Sequence, residues 1–200
     1  MQKTVIALLG IALLVLSGCG GTWTTNYDRL DASVTRGWNV QSVSVTVPDT
    51  LTVTEQDSFA PNADIVWHGD PLGDRKAQIA KVMQAGISKG ASGLRGPRSV
   101  NIGVTVRQFH SVTPRAQTRA PGAVHNISYV IQVFDRAGNP LTQPQVIAAD
   151  LEAFVGSDAI QAAQRGQTQK VRITNHLAAV TAGWLGIGPD VRGTFSGPGR

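Results

Sequence analysis

The sequence predicts an α+β fold, a two-layer sandwich in which a mostly antiparallel sheet of about five strands packs against two helices. Two observations support this prediction. Several segments alternate β-branched and polar residues, and two longer segments repeat apolar residues at helical spacing. Strands followed by one helix, a three-strand meander and a second helix are typical of such a layered domain. We expect a single domain over residues 38–185, a length that suits one hydrophobic core.

The first predicted strand lies near residue 45. Val43, Val45 and Val47 alternate with Ser44 and Thr46, which is the period of a strand with one buried face. Residues 51–53 could extend it after a turn. The apolar run at residues 65–67 predicts a second, short strand.

The first predicted helix follows residue 69. Asp70 is a suitable N-cap, and Pro71 suits the first helical position because its missing N–H would have no partner there. Glycines between residues 90 and 96 are expected to end this helix. Its apolar positions at helical spacing are Leu72, Ile79, Val82, Met83 and Ile87.

The middle of the chain predicts a meander of three strands. Residues 100–106 and 127–133 alternate apolar and polar side chains, and residues 146–154 are expected to return along the second of these strands. Residues 135–140 contain an Asp, a Gly and a Pro, the chemistry of a hairpin turn. Residues 111–122 are expected to form a loop.

A second helix is predicted from Ser157, as its N-cap, to Trp184, with a weak interruption at Gly166. Residues 186–200 are rich in glycine and proline and carry few apolar side chains. They therefore predict a flexible tail.

The N-terminal residues predict export. Residues 1–4 carry one positive charge, and residues 5–16 are apolar or glycine, a run too short to cross a bilayer but suited to a signal peptide. Leu16, Ser17, Gly18 and Cys19 resemble the lipobox of bacterial lipoprotein precursors, in which the cysteine thiol takes a diacylglyceryl group. Cys19 is the single cysteine of the chain. The alternative is an ordinary signal peptide that happens to end at a cysteine.

The lipobox resemblance implies a specific architecture and location. It implies a signal peptide at residues 1–18 and a lipidated tether at residues 19–37. Because bacterial lipoproteins carry three acyl chains, Cys19 would hold the protein permanently on a membrane. Gly20 stands where an aspartate would indicate retention in the inner membrane, so the resemblance implies the periplasmic side of an outer membrane.

The charge balance restricts the class of partner. Without residues 1–18 the chain has seventeen Lys and Arg against thirteen Asp and Glu, a net charge of +4. Export makes nucleic acid an unsuitable partner, so anionic lipid headgroups, lipopolysaccharide phosphates or an acidic protein fit the charge better. An evenly solvated basic surface is the simpler alternative.

Four arginines are candidate contacts for an anionic ligand: Arg95 and Arg98 near the exit of the first predicted helix, and Arg115 and Arg119 in the predicted loop. Arginine suits phosphates and carboxylates because its planar guanidinium donates hydrogen bonds in pairs. If both pairs lay at the same end of the sheet, they would form one basic edge. Four unrelated solvated side chains are the alternative.

The sequence gives no motif for catalysis or for a metal. The four histidines lack metal-ligand spacing, and His68 stands beside Asp70, where a turn into a helix explains both residues. No nucleophile elbow and no phosphate loop are present in the sequence. We therefore expect no cofactor, no metal and no enzymatic activity, although a site assembled from distant residues is a remaining alternative.

Together, these features resemble small bacterial lipoproteins grouped as a domain of unknown function. The resemblance depends on the lipobox, the strand at residues 65–67, the helix at 77–87, the strand at 100–106 and the hairpin at 130–140. More loosely, the element order resembles periplasmic auxiliary lipoproteins of lipid-trafficking ABC transport systems. The resemblance implies a non-enzymatic accessory subunit of an envelope transport or assembly complex. A binding module for lipopolysaccharide or peptidoglycan is the alternative.

Overall fold

A computed structural model describes residues 22–196. The predicted signal peptide, the lipobox and Cys19 therefore lie outside the described residues. The strands of the described part are β1 (Thr22–Asn26), β2 (Trp38–Thr46), β3 (Val53–Thr54), β4 (Ile65–Val66), β5 (Arg98–His110), β6 (Ala123–Asp135), β7 (Gln145–Ala149), β8 (Leu151–Ala153) and β9 (Gly193–Ser196). The helices are α1 (Ala32–Thr35), α2 (Arg75–Ala91), α3 (Pro114–Arg119), α4 (Gly156–Gln164) and α5 (Gln169–Trp184).

The strands form an open mixed sheet in the order β3-β4-β5-β6-β7-β1-β9, with β2 also paired to β5 and β8 to β6. The predicted α+β class is confirmed, but the prediction of about five strands and two helices is wrong. β2 and β4 run parallel to β5, whereas β6 runs antiparallel to it. A parallel pair needs a long connection, here residues 47–97 with α2. Local sequence patterns do not reveal which distant strands pair in this way.

The predicted tether and tail are wrong for most of their length. Within residues 22–37, β1 pairs with β7 and α1 forms one short helical turn. β9 lies in the predicted tail and pairs with β1, with Trp23 opposite Phe195. The sequence signal is weak because the buried side chains at this end of β1 are Thr25 and Tyr27 rather than a run of apolar residues.

The first helix begins one turn later than predicted. Asp74, rather than Asp70, is the N-cap of α2, and its carboxylate accepts a hydrogen bond from the Ala77 N–H at 3.0 Å. Leu72, predicted on the apolar stripe, is 81% exposed. The Asp70 carboxylate instead accepts hydrogen bonds from Trp67 Nε1 and from Lys170 Nζ.

The second predicted helix is in fact two helices. α4 begins after Val155, which gives no side-chain cap, so the predicted N-cap at Ser157 is wrong. Gly166 adopts φ +75°, a left-handed conformation that ends a helix. α5 then begins at a new N-cap, Thr168.

The core lies between one face of the sheet and the two helices α2 and α5, which run parallel to each other. These helices approach closely at Gly90, where an added Cβ would lie 2.4 Å from the Ala178 carbonyl oxygen. Trp67 and Phe109 meet edge to face with ring centres 5.6 Å apart, and both are fully buried. Within residues 22–196, no helix combines the length and the apolar character needed to cross a bilayer.

Candidate functional site: a cavity at one end of the sheet

The four candidate arginines do not form one basic edge. Arg98 is the first residue of β5 and Arg95 precedes it, whereas Arg115 and Arg119 lie in α3, beyond the last residue of β5. β5 has 13 residues, and at about 3.3 Å per residue the strand separates the two pairs by about 40 Å. The condition for one shared basic edge is therefore not met, and the sequence pattern did not show how long this strand is.

A cavity of about 750 Å³ lies at the end of the sheet where β5 ends and β6 begins. His110 and Asn126 line it, whereas the adjacent Phe109 and Ile127 belong to the core. Because successive strand residues point to opposite faces, the cavity lies on the face of the sheet turned away from α2 and α5. α3 and residues 55–64, here named the wall loop, form its sides.

Hydrogen bonds fix the wall loop to the end of β5. The Thr113 hydroxyl donates to the Ser58 carbonyl oxygen at 2.8 Å. The His110 ring bonds the carbonyl oxygen of Ala63 through Nε2. These two hydrogen bonds therefore hold the wall loop in place as one side of the cavity.

The rim of the cavity is basic and aromatic. Phe59 of the wall loop is 54% exposed, and the Arg115 guanidinium lies 5.2 Å from the centre of its ring. Arg119 is exposed and lines the cavity. The Asp57 carboxylate accepts a hydrogen bond from the backbone N–H of Arg115 at 2.7 Å. Two of the four arginines singled out from the sequence thus lie at this cavity, and the other two do not.

Small side chains create the space inside the cavity. Ala116, Ala120 and Ala123 line it, and larger side chains at these positions would occupy it. The lining is mostly apolar, and its volume falls within the roughly 300–1,000 Å³ typical of ligand sites. This cavity could not be predicted from the sequence because its walls come from segments about fifty residues apart. The cluster of Ala, Gly and Pro at residues 116–123 was the available signal.

A buried carboxylate ties β1 to the sheet beside the cavity. Asp150 is 5% exposed and lies where β7 passes into β8. Its carboxylate accepts hydrogen bonds from Asn126 Nδ2 at 2.6 Å, from the Ile127 N–H at 3.2 Å and from the Thr24 N–H at 3.0 Å. The Thr25 hydroxyl donates to the Asp150 carbonyl oxygen at 2.8 Å. β1 is therefore held by side-chain as well as ladder hydrogen bonds.

Two buried histidines lie near this junction. Burial, together with the smaller effect of the positive charge of Arg172, lowers the pKa of His125 to about 3. Burial also lowers the pKa of His176 to about 4, although a backbone hydrogen bond at Asp150 opposes the shift. Both rings are therefore neutral in the folded protein at neutral pH. Within residues 22–196, no three His, Cys, Asp or Glu side chains converge to hold a metal ion.

The fold and the cavity define an α+β domain with one open, ligand-sized site. Residues 38–197 match the model of a family of unknown function, DUF6778, and the chain belongs to that family. The expectation of a domain of unknown function is thereby confirmed. The looser resemblance to ABC transport lipoproteins stays a prediction. No curated protein matches the chain.

Three solved bacterial structures are similar to the chain at low identity and low TM-score. A candidate lipoprotein of Caulobacter crescentus CB15 is 9% identical, with a TM-score of 0.34 over 74% of this chain and 86% of that one. The PelC dodecamer of Paraburkholderia phytofirmans is 10% identical, with a TM-score of 0.35 over 83% and 98%. A minor lipoprotein of Acinetobacter baumannii is 13% identical, with a TM-score of 0.30 over 69% and 86%. Likeness this distant carries no conclusion about function.

Proposed function

We propose that the protein is a lipid-anchored envelope protein, acting without catalysis as a binding or accessory subunit of an envelope transport or assembly complex. The observation that supports the proposal is that β1, the first described strand, lies beside the cavity. β1 begins at Thr22, and Trp23 lines the cavity. Cys19 stands only four residues before Trp23 in the sequence.

Covalent geometry limits the distance between anchor and cavity. Four residues span at most about 14 Å when fully extended. A membrane attached at Cys19 would therefore lie beside the cavity, and the rim residues Phe59 and Arg119 would be near its surface. We further propose, from Gly20, that this membrane is the outer membrane and that the domain faces the periplasm.

Site-specific photocrosslinking in living cells tests the binding role. We would replace Phe59 with benzoylphenylalanine and use Val34 as the matched control, since both side chains are 54% exposed. Val34 lies in α1, which adjoins the opposite end of the sheet through Gly37 and Arg98. We expect a discrete protein adduct from position 59 and none from position 34. The absence of an adduct from both positions, or equal adducts from both, would contradict the proposal.

A second candidate function is binding of an anionic envelope ligand such as lipopolysaccharide or peptidoglycan. The observation in its favour is that Arg115 and Arg119 lie together at the rim of the cavity. Charge reversal of both residues should abolish binding, and added salt should weaken it because exposed charges are screened over about 10 Å at 0.1 M. Reversal of Arg95 and Arg98 is the charge-matched control. If the two double variants bind equally, this function is wrong.

A further inference from the structure

The cavity has the composition of a site for a chain of methylene groups. Its lining is mostly apolar and includes Trp23, Val112 and Val124, and the alanines of α3 leave its interior open. No carboxylate is among the described residues that line it. An apolar interior of this size stabilises an apolar ligand by about 0.8 kcal/mol for each buried CH₂ group.

The rim has the composition of a site for an anionic headgroup. Arg119 lines the cavity, and Arg115 lies over the Phe59 ring on the neighbouring side. α3 carries no acidic residue in its first turn. The Asp57 carboxylate accepts a hydrogen bond from the backbone N–H of Arg115. One guanidinium group therefore lines the apolar cavity, and a second lies over the ring of Phe59, which also lines it.

We infer that the cavity binds an acyl chain of an anionic membrane lipid, with the phosphate of the headgroup at Arg119 and Arg115. This inference rests on the proposed function, because the predicted anchor at Cys19 is what brings the cavity to the membrane. An amphiphile satisfies both parts of the site at once. The apolar interior takes the acyl chain and the arginines take the phosphate, for which bidentate hydrogen bonds from guanidinium groups are well suited.

Photolabelling in vesicles tests the inference. The full lipidated chain would be reconstituted in phosphatidylcholine vesicles that contain a small fraction of phosphatidylglycerol with a diazirine on one acyl chain. We expect label on the peptides that line the cavity, within residues 108–126. Ala120→Trp fills the cavity and should reduce the label by roughly tenfold or more, since loss of two buried CH₂ groups already corresponds to about tenfold. Ala163→Trp, on the exposed side of α4, should leave it unchanged.

A comparison of two lipid headgroups on the wild-type protein provides a test that does not depend on the folding of Ala120→Trp. Photoactivatable diacylglycerol, which lacks the phosphate, should label the wild-type cavity several-fold less than phosphatidylglycerol does. Arg119→Glu should remove this preference, and the control Arg98→Glu, at the far end of β5, should keep it. Equal labelling of wild type and a folded Ala120→Trp, label outside the cavity, or no preference for the anionic probe would each overturn the inference.

Vesicle flotation separates failure of the inference from failure of the proposed function. A chain that floats with the vesicles but shows no label in the cavity keeps the anchor and refutes the lipid site. If the chain extracted from cell membranes carries no lipid on Cys19 and does not float with the vesicles, the anchor on which the proposed function depends is refuted.

Discussion

The two buried histidines predict a steep loss of stability in mild acid. His125 is 1% exposed, and neither ring nitrogen has a hydrogen-bond partner among the described residues. His176 shares a 3.2 Å hydrogen bond between its Nε2 and the Thr25 hydroxyl. Because burial lowers the pKa of the first ring to about 3 and of the second to about 4, both stay neutral in the folded protein well below pH 6.

The sign of the effect follows from proton binding. In the unfolded chain a histidine titrates near pH 6.5, so below that pH the unfolded state binds more protons than the folded state. Stability is therefore full above about pH 6.5 and falls as the pH decreases toward the folded-state values. Each ring contributes a slope of about 1.4 kcal/mol per pH unit, or about 2 kcal/mol between pH 7 and pH 5. The pair should remove about 4 kcal/mol, a large part of the stability of a typical domain.

Chemical denaturation at a series of pH values measures this loss. The variant His125→Leu removes one titrating ring without leaving a broken hydrogen bond, and we expect it to halve the slope of unfolding free energy between pH 7 and pH 5. The free energy of unfolding of the double variant with His176→Leu should change little between pH 7 and pH 5, because carboxylates titrate at lower pH. A slope that is unchanged by His125→Leu would refute the assignment of the buried neutral ring.

Three further predictions concern the buried carboxylate of Asp150, the packing of α2 on α5, and the break between α4 and α5. Asp150→Ala leaves three backbone or amide donors without their acceptor and should lower the free energy of unfolding by about 3 kcal/mol in urea denaturation. The exposed control Asp158→Ala removes only a favourable charge from the first turn of α4 and should cost less than about 1 kcal/mol. Gly90→Ala places a Cβ 2.4 Å from the Ala178 carbonyl oxygen. The clash should lower the free energy of unfolding by about 1–2 kcal/mol, despite the better helix propensity of alanine. A rise in Tm would show that α2 and α5 pack differently. Gly166→Ala places an alanine in a left-handed backbone conformation, although its Cβ would meet no other atom. The change should lower the free energy of unfolding by about 1 kcal/mol. An unchanged Tm would argue against the break between α4 and α5.

Sequence reasoning succeeded where the signal is local. The hairpin turn at residues 135–140 is a case, because the Asp135 carboxylate accepts hydrogen bonds from the Ala137 and Asn139 N–H groups and Gly138 adopts φ +88°. These roles depend on residue types that turns require wherever they occur. The same holds for the alternating strands on either side of this turn.

Sequence reasoning failed where an element depends on distant partners. β1 carries three threonines, and it becomes a strand because Asp150 and β7 hold it in place. The cavity has the same origin, since the wall loop and α3 meet only after β4 pairs with β5. Arg115 and Arg119 could be singled out by charge, but their separation from Arg98 could not be known without the length of β5.

The predicted lipid anchor at Cys19, outside the described residues, is what would bring the cavity to a membrane. Cys19→Ser should abolish acylation and cleavage and leave residues 1–18 attached. The folded domain should keep its stability, because the first described strand, β1, begins at Thr22.

Mass spectrometry of the N-terminal peptide from membrane-extracted protein tests the lipid anchor most directly. We predict a mature chain that begins at Cys19, with a diacylglyceryl thioether on its sulfur and a third acyl chain on its amino group. An unmodified thiol at Cys19, or a mature chain that begins at another residue, would contradict the anchor and with it the placement of the cavity at a membrane.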